Sequence, residues 1–505
     1  MGLEQGGETD ALHKGPFAVR RAGLLLHPTS LPGSPGNGDL GPEAFHFVEF
    51  MAAAGISVWQ MLPLGPTHED GSPYQCTSVH AGNHRLISLQ RLVEQGWLHS
   101  AAMTPGQDPH HLRRRCLRLA YEGFQQRGGE EEQARLERFV AAHASWLEDF
   151  ALYQALRDEQ HSRPWVDWAP PLRDRQPAAL AEARHRLQAE IAQVRFEQFV
   201  FFSQWQDLRA FARDRGILLF GDMPIFVAHD SADVWADRDY FALDDRGQME
   251  VVAGVPPDYF SATGQRWGNP HYRWDVLQEA HYGWWVERVR TQIELFDFIR
   301  VDHFRGFEAC WEIPARAETA VEGRWVKVPG VALFNQLLRE FGSLPLVAED
   351  LGIITPEVEE LRDTFGLPGM KILQFAFGGD ASNPYLPHNH KPLCVVYTGT
   401  HDNNTTLGWY QELGRAEKQH LREYYGYPRE KMPWPVVRMA FASVARMAIV
   451  PLQDVLELDA SHRMNRPGVS GGNWRWRYDW SQVPEDLPAR LRALVAMYGR
   501  LVASD

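Results

Sequence analysis

Cysteine is scarce in this chain. Cys76, Cys116, Cys310 and Cys394 are scattered without a CxxC pair. That spacing fits reduced thiols in a cytoplasmic protein better than a disulfide frame. Long apolar runs are missing as well: no stretch offers the ~18 uninterrupted apolar residues of a membrane span, so no membrane partner is expected. Positive charge is in the minority. The net charge of −14 argues against a nucleic-acid partner, whose backbone would be repelled. The opening MGLEQGGETDALHKGP lacks the basic-then-apolar pattern of a signal peptide, and Gly6 stands where a myristoylation signal wants Ser or Thr. Asn403 and Asn404 formally begin glycosylation sequons, NNT and NTT, discounted because nothing else indicates secretion. There is no internal repeat, low-complexity tract, P-loop or DxDxDG calcium loop, so neither cofactor nor metal is expected.

Three partial motifs also fail. GNGDLG (36–41) matches GxGxxG, but Pro32 and Pro35 part it from the preceding strand, and no acid follows ~20 residues on in a strand. It reads as a turn into a helix. GVSGG (468–472) matches GxSxG, a motif whose fold needs a later histidine, yet the last one is His462. His80 and His84 are four apart in HAGNH, without the glutamate of a helical zinc motif.

What the chain does contain is an alternating β/α pattern. It has 505 residues, 44% apolar and 23% charged, which are globular proportions. Eight short apolar runs, each bounded by turn residues, read as buried parallel strands. They are AGLLL (22–26), ISVWQML (56–62), ILLFGD (217–222), FIRVD (298–302), PLVAED (345–350), MKILQFAF (370–377), CVVYTG (394–399) and AIVPLQ (448–453). Helical stretches such as PEAFHFVEFMAAAG (42–55) and PEVEELRDTFG (356–366) separate most of them. The expected fold is an α/β (β/α)8 TIM barrel over residues 21–505, behind a disordered tail at 1–20. About 150 residues part the second strand from the third, too many for a loop. Trp205, Leu208 and Phe211, like Phe150 and Tyr153, recur every third residue. Residues 68–200 are therefore expected to be a mostly helical insertion on the catalytic face. Residues 228–285 are expected to be a smaller insertion whose loop GVPPDYFSATGQRWGNP (254–270) forms an ordered flap. The 18 Trp, 15 Tyr and 26 Phe must mostly be core, but tryptophan in excess also suits a sugar cleft, because a pyranose face lies well on an aromatic ring.

Four acidic motifs end strands: GDMPIF (221–226), RVDHFRGF (300–307), AEDLG (348–352) and GTHDNN (399–404). Barrel enzymes carry their chemistry at those strand ends, and a glycoside-bond enzyme needs converging carboxylates. Asp302 shares a strand face with Arg300, two residues back, and a guanidinium would keep it ionised. A structural Arg–Asp pair at the rim is the alternative. Glu349, among apolar neighbours, can take a raised pKa and donate a proton, while Asp350 reads as an N-cap for the next helix. Asp402 after His401 can stabilise positive charge on a sugar, or merely make a turn. Asp222 either holds Arg300 or touches substrate.

Taken together, RVDHFRGF, AEDLG followed by ITPE, GTHDNNTT, GDMPIFVA, SPYQ and PPDYFSATGQRWGNP resemble the 4-α-glucanotransferases (amylomaltases, or disproportionating enzymes) of the α-amylase superfamily, over about residues 22–480. The resemblance implies that Asp302 is the nucleophile, Glu349 the general acid/base and Asp402 the stabiliser of an oxocarbenium-like transition state. It implies that Arg300 and His401 flank the donor glucose, with Asn465 of RMNRPG a further donor contact. Asp222 and Tyr74 would touch sugars near the cleavage point, Tyr74 as a stacking platform. Tyr259, Phe260, Gln265 and Trp267 of the flap would cover the bound chain. The partners implied are maltooligosaccharides and starch- or glycogen-derived glucans, for a chain expected to be a monomer or weak homo-oligomer. Two inversions would give retention, with the two carboxyls about 5–5.5 Å apart. Hydrolysis by the same acids and simple glucan binding without turnover are the competing readings.

Overall fold

The computed structural model describes residues 17–103, 108–257, 261–469 and 471–502. Each of the eight apolar runs forms a strand: β1 Arg21–Leu25, β2 Val58–Gln60, β3 Leu218–Pro224, β4 Phe298–Asp302, β5 Leu346–Ala348, β6 Gly369–Ile372, β7 Cys394–Tyr397 and β8 Met447–Pro451. All pair in parallel, in the order β6-β7-β8-β1-β2-β3-β4-β5. Alternation explains why the runs are apolar throughout. Leu25, Val58, Phe220, Phe298, Val347, Met370, Val395 and Ile449 fill the barrel interior. Their neighbours Leu24, Trp59, Leu219, Ile299, Ala348, Val396 and Ala448 face the helix ring, so neither face meets water. A (β/α)8 TIM barrel results.

Two ends of the barrel depart from the sequence reading. Phe17 and Arg20 lie inside the expected tail but are packed. Phe17 is buried with its ring 5.1 Å from that of Phe298, and Arg20 donates to the Ser443 carbonyl at 2.9 Å. The β6–β7 connection holds only the 3-10 turns Leu373–Phe375 and Pro387–Asn389 among its described elements. Its residues GGDASNPYLP favour turns over a helix.

Between β2 and β3 the chain is helical. Helices include Pro109–Arg127, Glu130–Ala142, Ala144–Glu159 and the 26-residue Gln188–Arg213, which runs on through residue 200. The four prolines of 163–177 do not end structure there; they start it. Pro170 and Pro177 occupy first-turn positions of short helices, where a missing N–H costs nothing. The flap region is carried on a sheet: Gln265–Pro270 pairs antiparallel with Val251–Val255, which pairs with Ala309–Pro314, which pairs with Arg324–Lys327. Two of those strands come from beyond residue 285, and the sequence reading missed both.

Closure of the barrel falls between β5 and β6, where no strand ladder forms. Ala348 N–H donates to the Pro368 carbonyl at 2.9 Å, and Met370 N–H to Asp350 Oδ1 at 2.7 Å. Arg362 donates to Asp350 Oδ2 from the outer helix Pro356–Thr364. A side chain at Gly369 would overlap the Asp350 carboxylate. Asp350 is therefore not the helix N-cap expected from sequence. That place belongs to Thr355, and Asp350 latches the seam. Replacing Asp350 with Asn takes away the buried counterion of Arg362 and leaves it only the exposed carboxylate of Asp363. We expect a loss of about 1–3 kcal/mol in stability from the weakened charge-assisted hydrogen bonds, read as a lower midpoint in urea unfolding; an unchanged midpoint contradicts the latch.

Candidate active site

The same alternation that fills the barrel puts charge at its mouth. Phe298 points inward, so Arg300 and Asp302 do too, and Asp222 follows Phe220 on the neighbouring strand. Asp222 and Arg300 face each other in the β3–β4 register. Arg300 donates to both Asp222 oxygens, at 2.8 and 2.7 Å, and its other terminal nitrogen donates to Asp302 Oδ1 at 2.8 Å. Burial works against the guanidinium charge, but Asp222 and Asp302 outweigh it and raise the Arg300 pKa well above its ordinary value. Asp222 is 2% exposed and also accepts the Tyr74 hydroxyl at 2.7 Å. Its oxygens are thus taken up in holding Arg300 and Tyr74. Asp302 differs: its side chain is 30% exposed, which leaves Oδ2 open toward the cleft.

Glu349 follows the inward-facing Val347 by two residues. Its Oε2 accepts the His303 N–H at 2.7 Å and its Oε1 the Leu351 N–H at 3.1 Å. Burial, with Asp302 nearby, pushes its pKa up to about 7, against the opposing pull of Arg300 and the two N–H groups. The mouth thus carries one carboxylate tied to a cation and, beside it, one carboxyl that holds a proton near neutrality. Two carboxyls with environments this different can divide acid and nucleophile roles.

The third acid arrives on the loop after β7. Asp402 is the most open of the three, its side chain 46% exposed. Asn465 Nδ2 donates to its Oδ1 at 2.7 Å, and Arg463 donates to its carbonyl at 2.8 Å. Asn465 N–H also donates to the His401 carbonyl at 3.2 Å, so the 463–465 segment fixes the loop from outside. His401 is buried and stacks on Tyr74, ring centroids 5.2 Å apart at 16°. Beneath the loop, Asp454 accepts the Thr398 and Thr406 hydroxyls, each at 2.6 Å, and the Thr406 N–H at 2.7 Å. The loop's two ends are thereby tied to one buried carboxylate.

From the flap, Gln265 is exposed and accepts the Trp267 indole N–H at 3.1 Å. Trp267 in turn stands edge-on to His303, 4.8 Å away at 87°. Tyr259 and Phe260 lie outside the described residues. The structure thus gathers Tyr74, Asp222, Gln265, Trp267, Arg300, Asp302, Glu349, His401, Asp402 and Asn465 around one barrel mouth. Sequence reasoning missed His303, Arg463 and Trp474, whose ring lies 5.9 Å from Tyr74 and 6.1 Å from His401. The only signal for Trp474 was the aromatic pair in GGNWRW (471–476), masked by the failed GxSxG match. Among the described residues no cluster of three or more His, Cys, Asp or Glu is arranged to hold a metal ion.

The sequence model of the 4-alpha-glucanotransferase family matches residues 26–482. The 4-alpha-glucanotransferase of Thermus thermophilus is 50% identical over 496 residues, 95% of this chain and 99% of that one. The chloroplastic/amyloplastic 4-alpha-glucanotransferase DPE1 of Arabidopsis thaliana is 43% identical over 500 residues, 96% of this chain and 87% of that one. Among solved structures, the amylomaltase of Streptococcus agalactiae in complex with acarbose superposes with a TM-score of 0.92 at 36% identity, covering 95% of this chain and 99% of that one. A barrel whose mouth gathers three acids, matched along nearly its whole length in sequence and in shape, belongs to the 4-α-glucanotransferase family.

Proposed function

We propose that Asp302, Glu349 and Asp402 carry out the family's transfer of α-1,4-glucan segments by a retaining double displacement. The observation that carries this reading is the unequal treatment of the two central carboxyls: Arg300 binds Asp302, and burial keeps a proton on Glu349 up to about pH 7. Asp302 attacks the anomeric carbon while Glu349 protonates the departing oxygen. Glu349, now ionised, then deprotonates the 4-hydroxyl of an acceptor sugar, which attacks the glucosyl–Asp302 ester and frees Asp302. Asp402, steadied by Asn465, faces the positive charge that develops on the ring. Tyr74 and His401 form a stacked wall for the donor sugar, and Arg300 fixes Asp302. Asp222 acts by holding Arg300 and Tyr74. Gln265 and Trp267 cover the bound chain, a role the family resemblance extends to Tyr259 and Phe260, and a bound acceptor sugar must outcompete water.

The donors and acceptors in this reading are maltooligosaccharides and starch- or glycogen-derived glucans. Residues 68–200 and 228–285 are the insertions that shape the cleft. A site built from one chain supports a monomer or weak homo-oligomer, and four free thiols support a cytoplasmic setting.

Incubation with maltotriose alone tests the function. We expect glucose and a ladder of longer maltooligosaccharides with no net gain of reducing ends. Shorter sugars only, with reducing ends rising, would mean a hydrolase.

The pH profile tests the acid. The raised Glu349 pKa means that the proton is present below about pH 7 and lost above it, so kcat/KM should fall as pH rises through about 7. Glu349→Gln should abolish that alkaline limb and lower kcat by about 10²–10⁴. A limb that survives in this variant removes Glu349 as the acid.

A further inference from the structure

His303 stands between the flap and Glu349 and is used by neither step above. It follows Asp302 directly at the end of β4, with φ 54° and ψ 50°. That is left-handed backbone, which is strained for a residue with a side chain. The turn it makes has a clear effect. His303 N–H reaches Glu349 Oε2 at 2.7 Å, and the next N–H, of Phe304, reaches the Glu349 carbonyl at 3.1 Å. Glu349 N–H closes the loop on the Val301 carbonyl at 3.1 Å. One turn thus grips Glu349 by its side chain and by its main chain.

The ring faces the other way in function. It meets the Trp267 ring at 87° and 4.8 Å, and its buried Nε2 has no hydrogen-bond partner among the described residues. Burial holds the imidazole neutral, with a pKa near 4, despite the attraction of Asp302 and with the help of Arg305. An uncharged ring without a hydrogen bond at Nε2 is set by what packs on it, here a flap tryptophan.

We propose that His303 is a positioning residue that joins the flap to the reaction: its left-handed main chain aims an N–H at Glu349 while its ring supports Trp267. The proposal rests on Glu349 being the acid/base. The other charged or titratable groups facing Glu349 are Arg300 and Asp302 on β4 and the Tyr385 phenol from the β6–β7 connection; none is altered by changes at residue 303.

Two variants separate main chain from ring. His303→Gly removes the ring but adopts left-handed backbone freely. His303→Val removes the ring and resists that backbone. An N–H bonded to the carboxylate favours the ionised form, so its loss makes Glu349 harder to deprotonate. In His303→Val the alkaline limb of kcat/KM on maltotriose should move up by about one pH unit. In His303→Gly the limb should stay where the wild type has it, while hydrolysis rises relative to transfer several-fold as Trp267 loses its support. Both should use α-maltosyl fluoride, whose leaving group needs little acid help, with a first step much closer to wild type than with maltotriose. If Val does not fold, His303→Thr, also β-branched, takes its place.

Limbs that coincide in the β-branched and Gly variants, or a Gly variant whose transfer-to-hydrolysis ratio is unchanged, overturn the proposal. A wild-type profile whose limb persists in Glu349→Gln would instead refute the acid/base assignment on which it rests, so the two failures are distinguishable.

Discussion

The arrangement at the mouth hangs on one buried cation. Arg300 sits between Asp222, which it binds with two hydrogen bonds, and Asp302, which it binds with one. A buried charge with only one partner is costly, and a single carboxylate would leave part of the guanidinium unpaired. The chain resolves this by spending Asp222 as a permanent counterion, sealed from solvent and further held by Tyr74. Asp302 is then bound through one oxygen only, with its side chain 30% exposed. The same cation and the same Asp302 act with opposite signs on Glu349, and burial decides the balance in favour of the proton. The acid and nucleophile proposed for this site therefore belong to one electrostatic cluster, and altering any member should move the others.

That cluster is only as fixed as the strands that bear it. Asp222, Arg300 and Asp302 come from two hydrogen-bonded strands in register, which leaves little freedom. Glu349 comes from β5, which neighbours the one seam without a ladder, and two devices compensate. Asp350 latches the seam to Met370 and Arg362 on the outer side, and the turn at His303 grips Glu349 on the inner side. Asp402 stands on a loop instead of a strand, and its precision is supplied by Asn465, Arg463 and the buried Asp454. Rigid placement near Asp302 and braced placement farther out suit the proposed division of roles, in which two reacting groups are held close together.

Much of this was legible in the sequence for a physical reason. Parallel strands buried on both faces are short apolar runs, and such runs are easy to see; all eight matched. Inward alternation then carried Arg300, Asp302 and Glu349 to one face without any knowledge of contacts. What stayed hidden depends on pairing over long separations. The flap sheet could not be read, because Val251–Val255 finds its partner at Ala309–Pro314, beyond an intervening barrel strand. Asp350 was misread because an acid before a helix looks like a cap, whereas its real partners lie 12 and 20 residues on. Phe17 was assigned to a tail because its burial depends on the open floor of the barrel, which no local pattern reveals. Trp474 and Arg463 belong to the C-terminal segment that folds back over the β7 loop, and nothing in GGNWRW or RMNRPG fixes that return.

The central claim is that Asp302, held by Arg300, is the group that bonds to sugar. A fluorinated maltosyl fluoride that forms the ester readily but releases it slowly would capture that state. Mass analysis of peptides from the labelled protein should find one added fluoromaltosyl group, located on the peptide that contains Asp302. A label on any other carboxylate, or continued turnover of that substrate with no label on Asp302, would contradict the account.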